Sequence, residues 1–305
     1  MILSTIDIGT NTILMVTLAR DEGGTVRVLG DEHEIARLGK GVDASRTILP
    51  EAFDRVADYL NRYVEIATGL GAERIVAFGT SALRDARNQS EFIAAMHERT
   101  GLEITVLSGE DEAELTFKGA LSGMNPGEGR YGVLDIGGGS TEIAVGTARQ
   151  LERATSLEIG AVRITERCLG SLPPSEAGIR QARTFAREII AGGFALPRPL
   201  TMVGVAGTVT TLGAISSGMH RFDSEELNGT HLPAQEIARL TLGLLKLPTE
   251  GIAQLPGVHP ERADILPGGA IILDEFMKHN DLPELIVSTR GVRFGVALRE
   301  LELAG

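Results

Sequence analysis

Cysteine is almost absent from the 305-residue sequence, in which Cys168 is the single one. One cysteine cannot form an internal disulfide bond, which excludes the disulfide-stapled folds of small secreted proteins. A basic segment of the kind that opens a secretory signal peptide is also absent, because the first basic residue is Arg20. No apolar run approaches the ~18 residues of a membrane span. We therefore expect a cytoplasmic protein with no membrane partner.

Positive charge is scarce as well, and the formal net charge is −12. Such a chain is a poor general ligand for nucleic acid or for anionic membranes, so neither is an expected partner. A polyanionic small substrate would have to be held by local donors and bound cations against this overall field. The six histidines show no metal-ligand spacing, so no histidine metal centre is predicted.

What the sequence does contain is an alternation of strand and helix patterns through both halves, which is typical of α/β architecture. Residues 51–68 place apolar side chains every 3.6 residues between Pro50 and Gly69, which predicts a helix. Strands are predicted at Arg74–Phe78 and Leu102–Leu107. Asn88 with Glu91, and Ser108 with Asp111, resemble capping boxes that open helices. Further helices are predicted over 175–192, 208–217, 234–246, 267–280 and 291–303.

An internal repeat is the most informative feature. Thr5–Thr12 and Val133–Glu142 each contain a hydrophobic strand, an Asp-Ile-Gly and a tight turn of small residues, and each is followed by a second apolar run. Asp7 and Asp135 hold the same place in the two copies, nearly half the chain apart. The repeat predicts two similar domains whose turns face one cleft.

The two turns have the composition of phosphate-binding loops. Glycines let successive N–H groups converge on an anion, and hydroxyl and amide side chains add donors. An aspartate at the end of each strand can hold Mg²⁺, which neutralises phosphate oxygens. A single such turn would be read as an ordinary hairpin, but two matching turns favour phosphate binding.

Two further segments add to this pattern. Gly207 and Thr208 lie where an apolar strand runs into a helix, and a helix N-terminus with glycine and hydroxyls suits an anion. Four carboxylates share one predicted helical turn after Ser108, and composition alone does not say which of them activates water: Glu110, Asp111, Glu112 and Glu114.

Taken in order along the chain, these motifs resemble the exopolyphosphatase and guanosine pentaphosphate phosphohydrolase family of the actin-like, ribonuclease H-like superfamily. The segments that carry the resemblance are Asp7–Thr12, Thr80–Ala86, Ser108–Leu115, Asp135–Glu142, Gly160–Arg163, Gly204–Leu212, Arg262–Pro267 and Gly291–Gly295.

The resemblance implies a role for each matched residue. It makes Glu112 the general base, with Asp135 and Glu142 as the catalytic acidic pair of the glycine-rich loop. Asp135 and Glu142 would be metal ligands, and Mg²⁺ or another divalent cation the cofactor. The implied phosphate ligands are Thr10, Asn11, Thr12 and Arg84. The composition of the turns adds Asp7 as a metal ligand, and as phosphate ligands Gly137, Gly138, Gly139, Ser140, Thr141, Gly207 and Thr208. Many relatives carry an arginine soon after the first loop, where this chain has Ile13, so one direct phosphate contact is either absent or supplied by Arg84.

The implied protein is a phosphoanhydride hydrolase with two ribonuclease H-like domains and an interdomain cleft. Domain I is expected over 1–125 and domain II over 126–305, with the C-terminal helix 291–305 as a segment that could pack back on domain I. The expected substrate is inorganic polyphosphate, with guanosine pentaphosphate as the alternative, and the relatives suggest a homodimer. A sugar or acetate kinase and a nucleotide-switched scaffold are more remote alternatives, since one cysteine and 305 residues do not supply their additional features.

Overall fold

The structure, a computed structural model, describes residues 1–124 and 126–303. The chain forms two compact units, the first built from Met1–Gly119 together with the C-terminal helix and the second from Ala120–Gly291. The predicted boundary at 125/126 and the end of the predicted segment 291–305 fall on residues outside the described ones. Each unit is a layered arrangement of one mixed sheet and its helices.

The strands in chain order are β1 (Ile2–Ile8), β2 (Ile13–Arg20), β3 (Val26–Glu34), β4 (Arg74–Gly79), β5 (Ile104–Val106), β6 (Arg130–Ile136), β7 (Thr141–Thr147), β8 (Leu151–Leu157), β9 (Thr201–Val205), β10 (His231–Pro233) and β11 (Glu284–Val287).

The α-helices are α1 (Val42–Ser45), α2 (Pro50–Gly69), α3 (Ser81–Asp85), α4 (Gln89–Thr100), α5 (Gly109–Ser122), α6 (Ala161–Ile164), α7 (Glu176–Ala191), α8 (Ala206–Ser216), α9 (Ser224–Leu227), α10 (Ala234–Leu244), α11 (Thr249–Ala253), α12 (Leu266–His279) and α13 (Val292–Leu303). A π-helical turn covers Thr165–Leu169, and a 3₁₀ turn covers Pro260–Arg262.

The two sheets repeat one topology. The first has the order β3-β2-β1-β4-β5, and the second has β8-β7-β6-β9-β11 with β10 added at its edge. In each sheet, three consecutive strands form an antiparallel meander. The first strand of the meander, β1 or β6, also pairs in parallel with a later strand, β4 or β9. The internal repeat predicted this duplication, and the α/β class with two ribonuclease H-like domains is confirmed.

Helices cover both faces of the first sheet. Helices α2 and α4 pack on one face through a core that includes Leu60, Tyr63 and Phe92. Helix α13 packs on β1 and β2 through Phe294, Ala297 and Leu301. The described part of the C-terminal helix therefore belongs to the first unit. In the second unit one continuous core joins the sheet to its surrounding helices.

Most predicted elements occur within two residues of the expected bounds. The strand predicted over Leu102–Leu107 is shorter, at Ile104–Val106. The Ser108 cap is present, since its hydroxyl accepts from the Asp111 N–H at 3.1 Å. The capping box predicted at Asn88 is wrong: its side chain makes no cap bond and instead bonds both backbone groups of Ile48. Among the described residues, no helix combines the length and apolar character needed to cross a membrane.

Candidate active site

The first candidate loop, residues 9–12, joins β1 to β2. The Gly9 N–H donates to the Thr12 carbonyl at 2.9 Å, and a Cβ on Gly9 would lie 2.9 Å from that oxygen, so the turn requires glycine. Thr10 and Asn11 are buried, and Asn11 Nδ2 has no hydrogen-bond partner among the described residues. Because an unpaired buried donor is costly, Asn11 is suited to donate to a ligand anion.

A second segment holds this loop from outside. The Gly39 N–H donates to the Thr10 carbonyl at 2.7 Å, and the Arg37 N–H donates to the Asn11 carbonyl at 2.9 Å. A Cβ on Gly39 would lie only 3.2 Å from Thr10 Cβ, so the two segments are in close contact. The loop carbonyls therefore have partners, and the loop conformation is fixed independently of any ligand.

The carboxyl ends of β1, β4 and β5 lie at one edge of the first sheet, because these strands run parallel. Loop 9–12 follows β1, helix α3 with Arg84 follows β4, and the start of α5 with Glu112 follows β5. Ligands of open α/β sheets bind at this edge. The fold thus brings together, within one unit, three groups that the sequence analysis assigned to the site.

Glu112 has the chemistry expected of a general base. Glu112 is 7% exposed, and Arg84 Nη1 donates to its Oε2 at 2.6 Å. Burial raises the pKa of Glu112 above its ordinary value, while the charge and the hydrogen bond of Arg84 oppose that rise. The result is a carboxylate that binds a proton more readily than an exposed glutamate.

The acidic neighbours of Glu112 lie in different surroundings. Glu110, Asp111 and Glu114 are exposed, which follows from the ~100° turn between successive helical residues. Asp111 also accepts a hydrogen bond from Ser108 Oγ at 2.7 Å, as part of the cap. Of the four carboxylates in this turn, Glu112 is the buried one.

The second candidate loop, residues 137–140, joins β6 to β7 and repeats the geometry of the first. The Gly137 N–H donates to the Ser140 carbonyl at 3.1 Å, as Gly9 donates to Thr12. Ser140 and Thr141 are buried. The Thr141 hydroxyl donates to the Ile159 carbonyl at 2.6 Å, so the structure gives this predicted phosphate ligand a structural hydrogen bond.

The start of α6 holds the second loop as the 37–39 segment holds the first. The Ala161 N–H donates to the Gly137 carbonyl at 2.9 Å, and the Val162 N–H donates to Gly138 at 2.8 Å. Arg163, which is almost fully buried, donates from Nε to the Gly139 carbonyl at 2.7 Å. In both loops, N–H groups of a neighbouring segment thus donate to the loop carbonyls, and in the second loop the Arg163 guanidinium donates as well.

Asp135 and Glu142 are brought together by strand register. They are directly opposed on β6 and β7, so their side chains lie on the same face, and they are 8% and 2% exposed. Glu142 Oε1 accepts a hydrogen bond from Ser156 Oγ at 2.7 Å. Like charges that face each other across a strand pair are destabilising, and a bound cation would relieve the repulsion.

This pair fits a magnesium ion. Mg²⁺ takes one or two protein carboxylates and completes its shell with water and substrate oxygens. The described residues contain no group of three or more His, Cys, Asp or Glu able to hold a metal ion. Asp7, the third predicted ligand, is buried at the end of β1 in the first unit.

The third candidate loop is the junction of β9 and α8. Ala206 has a left-handed φ of 66° there, a strained conformation for a residue other than glycine. A Cβ on Gly207 would overlap the guanidinium of Arg262, so that side chain lies against the first turn of α8. Thr208 is buried, and its side chain packs on Gly269 of α12. At this loop the predicted hydroxyl is therefore enclosed, and the backbone N–H groups of the helix start remain the donors suited to an anion.

The sequence profile of the Ppx/GppA phosphatase family matches residues 17–304. The chain belongs to the Ppx/GppA phosphatase family. Exopolyphosphatase 2 of Mycobacterium tuberculosis is 35% identical over 308 residues, with 96% of each chain covered. Exopolyphosphatase 1 of Mycobacterium bovis is 27% identical, and the alignment covers 98% of this chain and 88% of the relative.

Solved structures of Ppx/GppA proteins have the same fold. The Aquifex aeolicus member superposes with a TM-score of 0.84 at 26% identity, with 100% of this chain and 99% of that chain covered. An exopolyphosphatase from Cytophaga hutchinsonii superposes with a TM-score of 0.89 at 25% identity, with 99% and 98% covered. The resemblance inferred from the ordered motifs is therefore confirmed over essentially the full chain.

Sequence reasoning missed several residues that shape this Ppx/GppA site. The segment Arg262–Pro267 was recognised as a motif, but the contact of Arg262 with Gly207 depends on the packing of distant segments, and no local spacing indicates it. The segment Arg37–Gly39, whose N–H groups bond the first loop, lies next to a recognisable pair of glycines around Lys40. The sequence does not show which residues that segment contacts. Gly160–Arg163 was recognised as a motif without a role, and its amides hold the second loop.

Proposed function

We propose that this family member is an exopolyphosphatase that releases terminal orthophosphate from linear inorganic polyphosphate by in-line attack of water. The observation that carries the proposal is Glu112, a buried glutamate at the edge where the parallel strands of the first sheet end, with its Oε2 held by Arg84. The exopolyphosphatases of Mycobacterium that align with nearly the whole chain support the choice of substrate.

Glu112 would act as the general base. Its Oε1 accepts the proton of the attacking water while Oε2 stays with Arg84, so the carboxylate keeps one orientation during the transfer. Proton transfer to a positioned carboxylate typically contributes ~10²–10⁴-fold to the rate. Its raised pKa suits this role, because a base with a pKa nearer the working pH accepts a proton more strongly.

The loops would hold the phosphate groups. Thr10, Asn11 and Thr12 supply hydroxyl and amide donors in the first unit, and the 137–140 loop supplies glycine amides and Ser140 in the second. The start of α8 adds N–H groups at Gly207 and Thr208, with the Arg262 guanidinium beside them. These fixed donors stabilise the charge that spreads over the equatorial oxygens of the transferred phosphoryl group.

Asp135 and Glu142 would hold the divalent cation, with Asp7 proposed as a further ligand. When bound, Mg²⁺ neutralises phosphate oxygens and lowers the charge repulsion against the attacking water. The chain's net charge of −12 makes such neutralisation necessary for a polyanionic substrate.

A phosphate-release panel with Mg²⁺ tests the proposal, using tripolyphosphate, long-chain polyphosphate, guanosine pentaphosphate and ATP. We expect kcat/KM to be highest for an inorganic polyphosphate, with orthophosphate as the product. A ladder that shortens one phosphate at a time on a gel marks attack at the chain end. Absence of release from both polyphosphates contradicts the proposal, and preference for guanosine pentaphosphate selects the alternative nucleotide hydrolase.

Three broader expectations stay predictions. The turns at 8–12 and 136–141 are predicted to face one cleft, and a crystal structure with a bound polyphosphate analogue tests this. The homodimer is tested by light scattering of the purified protein. The cytoplasmic location is tested by fractionation of the producing cells.

A further inference from the structure

Arg84 is the charged side chain that contacts the proposed base. Its Nη1 donates to Glu112 Oε2 at 2.6 Å and to the Leu107 carbonyl at 3.0 Å. The Leu107 carbonyl belongs to the backbone just before α5, the helix that carries Glu112. One guanidinium nitrogen is therefore tied both to the base and to the chain that positions it.

The helix that carries Arg84 is itself held in place. The Arg84 N–H donates to the Thr80 carbonyl at 3.0 Å, and Leu83 packs so tightly on Gly79 that a Cβ there would overlap its side chain. The Arg84 side chain is only 20% exposed. A partly buried and anchored arginine keeps its guanidinium in one position, which a mobile surface arginine does not.

The other charged groups described on α3, α5 and α13 pair with residues other than Glu112 or are exposed. Asp85 of α3 pairs with Arg46 at 3.1 Å, and Arg293 of α13 pairs with Asp31 at 2.9 Å. The acidic neighbours in the same turn of α5, Glu110, Asp111 and Glu114, are exposed to solvent. Asp7, at the end of β1, is a second buried carboxylate at this edge. Because it is negatively charged, it cannot replace the positive charge of Arg84.

We infer that Arg84 is a positioning residue for Glu112, which it holds in the charged form and with Oε1 directed to the attacking water. This inference rests on the proposed function, in which Glu112 is the base. It gives Arg84 a task beyond the phosphate contact expected of it from sequence.

The physical reason is the cost of burying a lone carboxylate. Without an opposite charge, a buried carboxylate takes up a proton and can no longer act as a base. Arginine also suits the geometry better than lysine, because its planar fork is rigid while an ammonium group is a point charge on a flexible stem. The two roles predict different kinetics: a pure phosphate ligand affects KM, whereas a positioning residue changes the pH dependence.

The test is the pH profile of kcat/KM for wild type, Arg84→Gln and Arg84→Lys, with tripolyphosphate and Mg²⁺. An opposite charge within reach lowers a carboxyl pKa by ~1–3 units, so Arg84→Gln should move the acid limb to higher pH by about that much. Activity near neutral pH then falls up to about tenfold per unit and recovers as the pH is raised. In Arg84→Lys the acid limb should lie close to its wild-type pH, but the maximal rate should stay below that of wild type.

Arg46→Gln is the matched control, since it removes a positive charge that pairs with Asp85, the neighbour of Arg84, without contacting Glu112. Its acid limb should coincide with that of wild type. A higher KM for Arg84→Gln with an unmoved acid limb overturns the inference.

A second measurement separates this inference from the proposed function. The Glu112 carboxyl is titrated by ¹³C NMR in wild type and Arg84→Gln, with Glu112→Gln used to assign its signal and circular dichroism to confirm folding. We expect a higher pKa in Arg84→Gln; if that variant does not fold, Arg84→Lys takes its place with a smaller rise expected. An unchanged Glu112 pKa overturns the inference even if the enzyme is active. A wild-type enzyme that releases no phosphate overturns the proposed function, while the titration still decides whether Arg84 holds the charge on Glu112.

Discussion

Replacing Gly160 by alanine should misplace the second phosphate loop without altering any predicted ligand. The backbone at Gly160 is extended, with φ −151° and ψ 170°, so alanine introduces no conformational strain. Its Cβ, however, would lie 2.5 Å from the Gly139 amide nitrogen and closer still to the Gly138 carbonyl, whereas ordinary contact begins at 3.4 Å. Both obstacles are backbone atoms, so the loop itself has to move by about 1 Å.

The expected effect on activity follows from that displacement. A misplacement of about 1 Å can cost ~10²-fold when transition-state geometry depends on it. The overlap should also destabilise the fold by ~1–3 kcal/mol, typical of overpacking. We therefore expect kcat/KM for tripolyphosphate to fall by about two orders of magnitude, with only a modest decrease in Tm.

The assay is steady-state phosphate release together with thermal melting by circular dichroism. Gly243→Ala is the control, because Gly243 lies in α10 of the same unit and a Cβ there meets nothing within 4 Å. That control should keep wild-type activity and gain ~0.5–1 kcal/mol of stability from the helix propensity of alanine. Wild-type kcat/KM in Gly160→Ala would refute the idea that the α6 start holds a functional loop.

Three further outcomes are expected. Glu142→Gln should depress kcat severely and raise the Mg²⁺ concentration needed for half-maximal activity. Full hydrolysis in excess chelator would contradict the proposed need for a divalent cation. Arg262→Gln should raise KM for tripolyphosphate, because its guanidinium lies beside Gly207; an unchanged KM would exclude it from the site. Burial raises the pKa of Glu275, but hydrogen bonds from Arg187 and Arg183 outweigh it and hold the pKa below its ordinary value of 4.5. The stability from this carboxylate is therefore present above about pH 4.5 and lost as the pH falls through the lower folded-state pKa. Urea unfolding from pH 7 to pH 3 should show that loss in wild type and a flatter profile in Glu275→Gln, and identical profiles would contradict it.

The fold was predictable because the sequence repeats itself. The Asp-Ile-Gly turns at Asp7 and Asp135 predicted two equivalent hairpins, and hairpin register alone places Asp135 opposite Glu142. The predicted helix cap at Ser108 depends only on residues close to it in sequence, and it is confirmed. Asn88 shows the limit of local patterns, since a tertiary contact with Ile48 uses the side chain that a capping box would have needed.

The site was predictable in its membership but not in its contacts. Nothing in the four-carboxylate turn indicates which member is buried, because that depends on how α5 is oriented on the first sheet. The Arg84 contact to Glu112 and the Arg262 contact to Gly207 join segments far apart in sequence. Thr141 and Thr208 were assigned by residue type as phosphate ligands, and the structure places their side chains in internal packing and hydrogen bonds.

The most direct test of the account is the rate of phosphate release by Glu112→Gln, compared with Glu110→Gln and Glu114→Gln. Glutamine keeps the size and the hydrogen bonding of Glu112 but cannot accept a proton, so kcat should fall by ~10²–10⁴-fold while KM changes little. The two control positions are exposed and should keep nearly full activity. Near-normal kcat in Glu112→Gln, with loss of activity in either control variant, would contradict the assignment of the base.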